Sequence, residues 1–275
     1  MAAGVIFFTL AAYGTLYAQE VAYTGSFQYS TGNYIFSDRT NSFYFFNGLN
    51  ISGKGFQFSA SIPVIYQNTP LISYTGGMMM PSGGQSGGSA INQQRGKGNR
   101  RGRVVIPFPS TQADQVGVGD PLIHLGISIF EQTAISPSFH IGASVKPPVA
   151  SYDKGYGTGE WDYSAGISLS KRFGRTFILT NLDYWIFGDP PDLDLKNALS
   201  YGLALGNMLR SGKVGLLASL SGYTRIIQDV APPTYLGLGL SYYITKKTSL
   251  NTNMSFGLSE STPDFTLSIG WRLGI

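Results

Sequence analysis

The chain has 275 residues, a formal net charge of +4 and no cysteine, which excludes a disulfide framework, thiol catalysis and cysteine-ligated metal. Only 12% of its residues are charged, about half of the roughly 25% typical of soluble domains, while glycine, tyrosine and phenylalanine are abundant. A bundle of membrane helices is also excluded, because no internal segment approaches ~18–20 uninterrupted apolar residues.

The first twenty residues, MAAGVIFFTLAAYGTLYAQE, contain an apolar run that ends in Leu16-Tyr17-Ala18. This pattern predicts a signal peptide over residues 1–18, with residues 19–275 as the exported protein. The alternative is a buried N-terminal helix, because the segment carries no Lys or Arg and Leu16 is larger than the residue preferred before a cleavage site.

Alternation of large apolar residues with small or polar ones recurs along the rest of the chain. It predicts strands at about 21–31, 42–52, 54–67, 116–130, 136–149, 160–172, 175–187, 197–209, 213–226, 234–245, 248–259 and 262–274. Each is long enough to cross a bilayer, for which ~9–11 tilted residues suffice. The predicted fold class is all-β: a transmembrane antiparallel up-and-down β-barrel of about twelve strands.

The links between these strands alternate in length, which is typical of outer-membrane barrels with short periplasmic turns and long extracellular loops. Gly53-Lys54, Phe173-Gly174 and Lys246-Lys247 are tight turns, whereas residues 68–115 and 188–196 form long links. An even strand number then places both termini in the periplasm. The predicted location is the bacterial outer membrane, with lipid and lipopolysaccharide around the barrel and the barrel-assembly machinery as a partner in biogenesis.

The polar faces of the strands carry Ser, Gly and Asn rather than Lys and Glu, as suits a confined aqueous lumen. Alternation therefore gives a set of lumen-facing candidates that either pair and fill the interior or line a solute path. The candidates are Tyr44, Phe46, Asp120, His124, His140, Lys146, Asp162, Asp183, Trp185, Arg225, Tyr235, Tyr243 and Arg272.

The long link over residues 68–115 is rich in Gly and Ser, which predicts a flexible extracellular loop. It ends in a basic run whose side chains are candidates for binding lipopolysaccharide phosphates or other anions: Arg95, Lys97, Arg100, Arg101 and Arg103. Since this run contributes five positive charges, the high isoelectric point is a local feature and does not indicate a nucleic-acid partner. Met78-Met79-Met80 has no neighbouring His or Cys, so we predict neither a metal site nor a cofactor.

The two histidines do not match an outer-membrane enzyme. Barrel phospholipases place a Ser two residues after the catalytic His, and here His124-Leu125-Gly126 and His140-Ile141-Gly142 carry Gly instead. We therefore expect no catalytic residues.

Two segments carry a family resemblance: VGVGDPLIHLGISIF over residues 116–130 and GTGEWDYSAGISLSKRFG over 157–174, with Lys146-Pro147-Pro148 between them. These motifs resemble the outer-membrane proteins named for a MetA pathway of phenol degradation and their transporter relatives. The resemblance implies a barrel related to channels for hydrophobic compounds, and a transport role without a defined solute. The chain departs from the family in its terminal Ile275, where Phe is usual, and in the length of the 68–115 loop.

Three functional hypotheses follow. The first is a passive outer-membrane channel for small hydrophobic or aromatic compounds, with a small-molecule solute as partner. The second is a structural or interaction barrel with a filled lumen, whose basic loop binds a partner or lipopolysaccharide. The third, an enzyme, lacks the His–Ser spacing that it would need.

Overall fold

The computed structural model describes residues 20–36, 39–69, 72–75, 78–81, 115–152, 154–191, 193–209 and 212–275. The predicted signal peptide and the basic run over residues 95–103 lie outside these ranges. Within them, no helix is long and apolar enough to cross a membrane.

Strands account for most of the described chain. They are β1 (Glu20–Gly32), β2 (Thr40–Gly53), β3 (Phe56–Gln67), β4 (Ile72–Thr75), β5 (Met78–Pro81), β6 (Gln115–Val118), β7 (Leu122–Phe130), β8 (Ser138–Lys146), β9 (Asp162–Phe173), β10 (Thr176–Ile186), β11 (Ala198–Leu209), β12 (Val214–Tyr223), β13 (Thr234–Tyr243), β14 (Thr248–Gly257) and β15 (Phe265–Gly274).

Thirteen of these strands form one antiparallel sheet that closes on itself through the β1–β15 and β2–β3 pairings. Strands β6 and β7 both pair with β3, end to end, so together they occupy one position in the wall. The result is a closed barrel of twelve wall strands in which each wall strand pairs with the next one along the chain, and the last, β15, pairs with the first, β1. The predicted fold class is confirmed.

The two ends of the barrel differ. At one end, here called the short-turn end, strands are joined by brief turns such as Lys54-Gly55 and Gly174-Arg175. Gly55 and Gly174 have φ values of +82° and +61°, which other residues adopt at a cost. Residue Ile275 lies at this end too, because its backbone N–H donates to the Val21 carbonyl at 2.8 Å. The opposite end, the loop end, carries the longest connections, including residues 68–114 and 147–161.

Burial alternates along the wall strands as the sequence predicts. On β13, for example, Leu236, Leu238 and Leu240 are each more than 40% exposed on the outside of the barrel. The intervening Gly237, Gly239 and Ser241 face inward. Because the sheet is closed, the apolar side chains of this outer belt have no protein core to pack against. In water they would form a large exposed apolar surface, whereas the hydrocarbon of a bilayer can cover them. Together with the fold, this belt identifies an outer-membrane β-barrel.

The wall is interrupted at the loop end between β6 and β9. Strand β8 stops at Lys146, where Pro147 and Pro148 lack the N–H groups that would continue the ladder. As a result β6 pairs with β3 on one edge but with no described strand on the other. The connection over residues 147–161 lies there instead, and the space above Gly117 is taken by the ring of Tyr156.

Candidate functional site: the lumen and its loop-end plug

Five loop-end connections pack apolar side chains into one cluster at the mouth of the barrel. This loop-end plug rests on the inward-facing strand residues Tyr44, Ile65, Trp185 and Ala198. The connections contribute Tyr34, Ile35, Phe36, Ile72, Met78, Met79, Met80, Tyr156, Phe187, Leu193, Leu195, Ile226, Ile227 and Val230. Burial also raises the pKa of the Tyr34 phenol well above its usual range. The plug gives the mouth an apolar, largely solvent-free interior.

The plug includes the hairpin formed by β4 and β5, which pairs with none of the wall strands that the structure describes. Met78, Met79 and Met80 are consecutive, so their side chains point to both faces of the hairpin, yet all three are at most 2% exposed. The hairpin is therefore covered on both faces. The Gly/Ser composition predicts a flexible external loop, and this part of it is instead held inside the mouth.

Three fully buried charges lie at the loop end of the wall, in a group here called the rim cluster. The Lys146 ammonium lies 2.7 Å from the Asp120 carboxylate and 3.4 Å from that of Asp162, and none of the three side chains has any exposed surface. Lys146 also donates to the Thr158 hydroxyl at 3.1 Å and to the Glu160 carbonyl at 2.9 Å.

The carboxylates of the rim cluster bind backbone as well as the ammonium. One oxygen of Asp120 accepts the N–H groups of Val149 and Ala150, both at 2.8 Å. The other approaches Gly157 so closely that a Cβ there would collide with it. Buried charges are tolerated only with such complete pairing. Since the bonding partners include backbone groups of the 147–161 connection, the rim cluster holds this connection against the wall and keeps Tyr156 in the plug.

Below the plug, the lumen becomes polar. A row of inward-facing glycines, Gly126, Gly142 and Gly166, runs across β7, β8 and β9 in register. His124 lies over Gly142, and Asp183 lies over Gly166. These glycines leave room for both polar side chains along the wall.

Hydrogen bonds hold this mid-lumen group in place. The His124 Nδ1 and the Ser144 hydroxyl are 3.0 Å apart. Asp183 accepts a hydrogen bond from the Asn181 amide at 2.7 Å and one from Ser200 at 3.3 Å. His140 faces inward nearby, between Ser128 and Ser168 of the adjacent strands.

The lower half of the lumen has two different walls. On β10 and β11 an apolar strip formed by Phe177, Leu179, Ala204 and Met208 packs with Leu217 and Tyr243. Opposite it, β1 presents the polar side chains of Thr24 and Ser26, and this polar row continues toward the loop end through Gln28, Ser30, Thr266 and Ser268. At the short-turn end Arg272 forms an ion pair with Glu20 at 2.9 Å.

The sequence-predicted lumen residues therefore fall into separate levels. Tyr44 and Trp185 lie in the plug with Phe46 packed against it, and Tyr235 is buried at the loop end of β13. Asp120, Lys146 and Asp162 form the rim cluster, His124, His140 and Asp183 lie at mid-height, and Tyr243 and Arg272 lie near the short-turn end. Arg225 follows the end of β12 in a loop and is exposed, so strand alternation does not place it in the lumen.

The plug residues contributed by the loops are not predicted from the sequence. No periodic signal marks Met78–Met80, Leu193 or Ile226, although an apolar run inside a Gly/Ser-rich link is itself unusual for an external loop. Among the described residues, no group of three or more His, Asp or Glu side chains is arranged to hold a metal ion.

Comparison with known proteins adds a family and a fold. The sequence profile of the family described as "Putative MetA-pathway of phenol degradation" matches residues 73–273. The chain belongs to this family. No curated protein matches it significantly in sequence. The motifs that contain the rim cluster and its partner Thr158 lie within the matched region: Gly119-Asp120, Lys146-Pro147-Pro148 and residues 157–162.

Solved structures with the same fold are outer-membrane barrels. An outer membrane channel from Pseudomonas putida F1 matches with a TM-score of 0.64 at 14% identity, over 96% of this chain and 98% of that one. The NanC porin matches with a TM-score of 0.52 at 7% identity, over 93% and 100%. The KdgM porin, solved with oligogalacturonate, matches with 0.51 at 7%, over 93% and 99%.

Proposed function

We propose that the protein is a passive outer-membrane channel that admits small hydrophobic or aromatic compounds. The observation that carries this proposal is the contrast between the apolar loop-end plug and the polar lumen below it. An ion that enters the mouth would lose its hydration without gaining a partner, whereas an apolar solute would exchange one apolar environment for another. The mouth would therefore select against ions and polar solutes.

The route below the plug is consistent with the same solute class. The apolar strip from Phe177 to Tyr243 offers an apolar surface along one wall, and the facing wall carries Ser and Thr side chains. A solute could then leave through the short-turn end by diffusion, with no cofactor or energy source. We further propose that the short-turn end and both termini face the periplasm, so that the plug faces the exterior.

Conductance in planar bilayers tests the proposal. We expect wild-type protein to pass little ionic current, and Met79→Ser to raise that current because a hydroxyl hydrates the centre of the plug. Met254, which faces lipid on β14, gives the matched control Met254→Ser, for which we expect unchanged conductance. Uptake of a neutral labelled aromatic compound into liposomes should exceed that of a sugar of similar size. Equal uptake of both would overturn the proposal.

A barrel with a filled lumen is the second candidate, and the burial of the β4–β5 hairpin favours it. In that case the function would lie in the surface loops and their partners, including lipopolysaccharide. A protein that neither conducts nor takes up aromatic solutes, in wild-type form and with Met79→Ser, would support this candidate.

We also propose that the protein has no enzymatic activity. His124 is hydrogen-bonded to Ser144 on the next strand, inside the lumen rather than on the lipid-facing surface where a phospholipid could reach it. Phospholipase and protease assays on the refolded barrel should give no activity above that of an empty-detergent control.

A further inference from the structure

The charged residues of the barrel are distributed unequally between its two ends. Among the described residues, eight basic side chains lie at or next to the short-turn end, against two acidic ones, Glu20 and Glu131. The basic ones are Lys54, Lys171, Arg172, Arg175, Lys213, Lys246, Lys247 and Arg272. The loop end is more balanced: Glu160, Asp189, Asp194, Asp229, Glu260 and Asp264 are exposed or half-buried there, together with the basic residues Arg39, Lys154, Lys196 and Arg225.

Part of this basic set is already used within the protein. The Lys171 ammonium donates to the carbonyls of Thr133, Ala134 and Ser136 at 2.8 to 3.1 Å. Lys247 donates to the carbonyl of Ile275, and Arg272 pairs with Glu20. These contacts of Lys171, Lys247 and Arg272 hold neighbouring turns and strand ends together, so the charges of these three residues do not indicate a partner.

Three other members have no such use. Arg175, Lys213 and Lys246 are exposed, and their side chains make no hydrogen bond or ion pair with another described residue. They lie on three successive turns around the barrel: β9–β10, β11–β12 and β13–β14. Three unpaired cations, spaced around one rim, form a positive edge on the side of β9 to β14.

This positive edge lies directly beside the lipid-facing belt. Phe173 is 57% exposed and precedes Arg175 by two residues, and Ile244 is 51% exposed and precedes Lys246 by two. Leu216 follows Lys213 by three residues and is 44% exposed. With their apolar stems along such a belt, Lys and Arg side chains place their charged heads at the depth of lipid headgroups.

We propose that Arg175, Lys213 and Lys246 form a binding rim for the phosphates of anionic phospholipids in the leaflet at the short-turn end. The chemistry is charge attraction between guanidinium or ammonium groups and headgroup phosphates that carry a net negative charge. Lipid is the occupant because the three cations border the apolar belt and surround the lumen rather than lining it. This inference does not depend on the channel proposal.

Spin-labelled lipids in reconstituted membranes test this rim directly. Phosphatidylcholine vesicles containing the full chain would receive a trace of spin-labelled phosphatidylglycerol or phosphatidylcholine, and the motionally restricted fraction of each would be compared. We expect preferential association of phosphatidylglycerol that weakens as salt is raised. Because one basic residue near an anionic surface changes affinity by about fivefold, Arg175→Gln/Lys213→Gln/Lys246→Gln should abolish most of the preference.

The matched control removes the same number of charges from the loop end: Lys154→Gln/Lys196→Gln/Arg225→Gln, three exposed positions in its connections. This variant should keep the phosphatidylglycerol preference. Heat-modifiable gel mobility would verify that both variants remain folded barrels.

Three results would overturn the proposal. The first is equal association of both lipids with wild-type protein, and the second is the same loss in the loop-end control. The third is full displacement of phosphatidylglycerol by inorganic phosphate at equal ionic strength, which would indicate a rim that binds soluble anions. None of these results bears on conductance or solute uptake.

Discussion

The ion pairing of Lys146 depends on the height of this residue along the barrel axis as well as on its inward orientation. Alternation along β8 predicts only that this side chain points inward. Its pairing with Asp120 and Asp162 arises because β7, β8 and β9 are in register and all three residues lie at the loop end. Sequence periodicity supplies the direction of a side chain, but partners across strands depend on register, which one sequence alone does not define.

Replacing this ammonium should be strongly destabilising. Lys146→Met removes the only cation bonded to two buried carboxylates in the rim cluster, and a broken buried ion pair typically costs about 3–5 kcal/mol. Urea unfolding of the refolded barrel would measure the loss. Lys154→Met, an exposed change in the same connection, should alter the free energy of unfolding by less than about 0.5 kcal/mol. Similar effects for the two variants would contradict the assigned role.

Asp183 provides a residue-scale test of the lumen. Its partly exposed carboxylate lies at mid-height, where it should attract cations. In a Met79→Ser background that conducts, Asp183→Asn should shift the reversal potential in a salt gradient toward lower cation selectivity. Asp229→Asn removes a charge from a surface loop and should leave the reversal potential unchanged. A shift in the control alone would place the selective charge outside the lumen.

At the scale of elements, the wall strands and the plug differ in how far they can be predicted. The twelve wall strands follow from alternation because each faces lipid on one side and the lumen on the other. The β4–β5 hairpin is covered on both faces, so it lacks that period, and its contacts come from connections distant in sequence. Arg95 to Arg103, the predicted anion-binding run, lie outside the described residues and stay a prediction.

Movement of the hairpin can be tested because the chain has no native cysteine. Met80 and Ile227 line the same small apolar cleft between β5 and the β12–β13 connection. If solute passage requires the plug to move, oxidation of a Met80→Cys/Ile227→Cys variant should block aromatic uptake. A reductant should restore it, and Met80→Cys alone should be insensitive to oxidant. Undiminished uptake with the disulfide formed would indicate a route that bypasses the hairpin.

At the scale of the whole molecule, the middle of the barrel wall is apolar outside and largely polar inside, the reverse of a soluble protein, and this difference can be measured. Leu238 lies at the middle of β13 and faces outward, whereas Asn253 faces inward on β14. Leu238→Arg should reduce the free energy of unfolding in lipid vesicles by about 2–4 kcal/mol, the cost of a basic residue at the bilayer midplane. Asn253→Arg should cost clearly less, since its side chain can remain hydrated. Equal costs would contradict the assigned faces.

The rim cluster also affects how membership of this family should be interpreted. Its residues come from the Gly-Asp, Lys-Pro-Pro and Gly-Thr-Gly-Glu-Trp-Asp segments that carry the family resemblance, and their contacts hold one connection to the wall. We therefore expect that chains with these segments hold the corresponding connection to the wall in the same way. They should differ in the solutes that they admit, according to the side chains of their plugs. Exchanging the β4–β5 segment between two such chains, with the rim cluster intact, should transfer cargo preference while preserving the barrel.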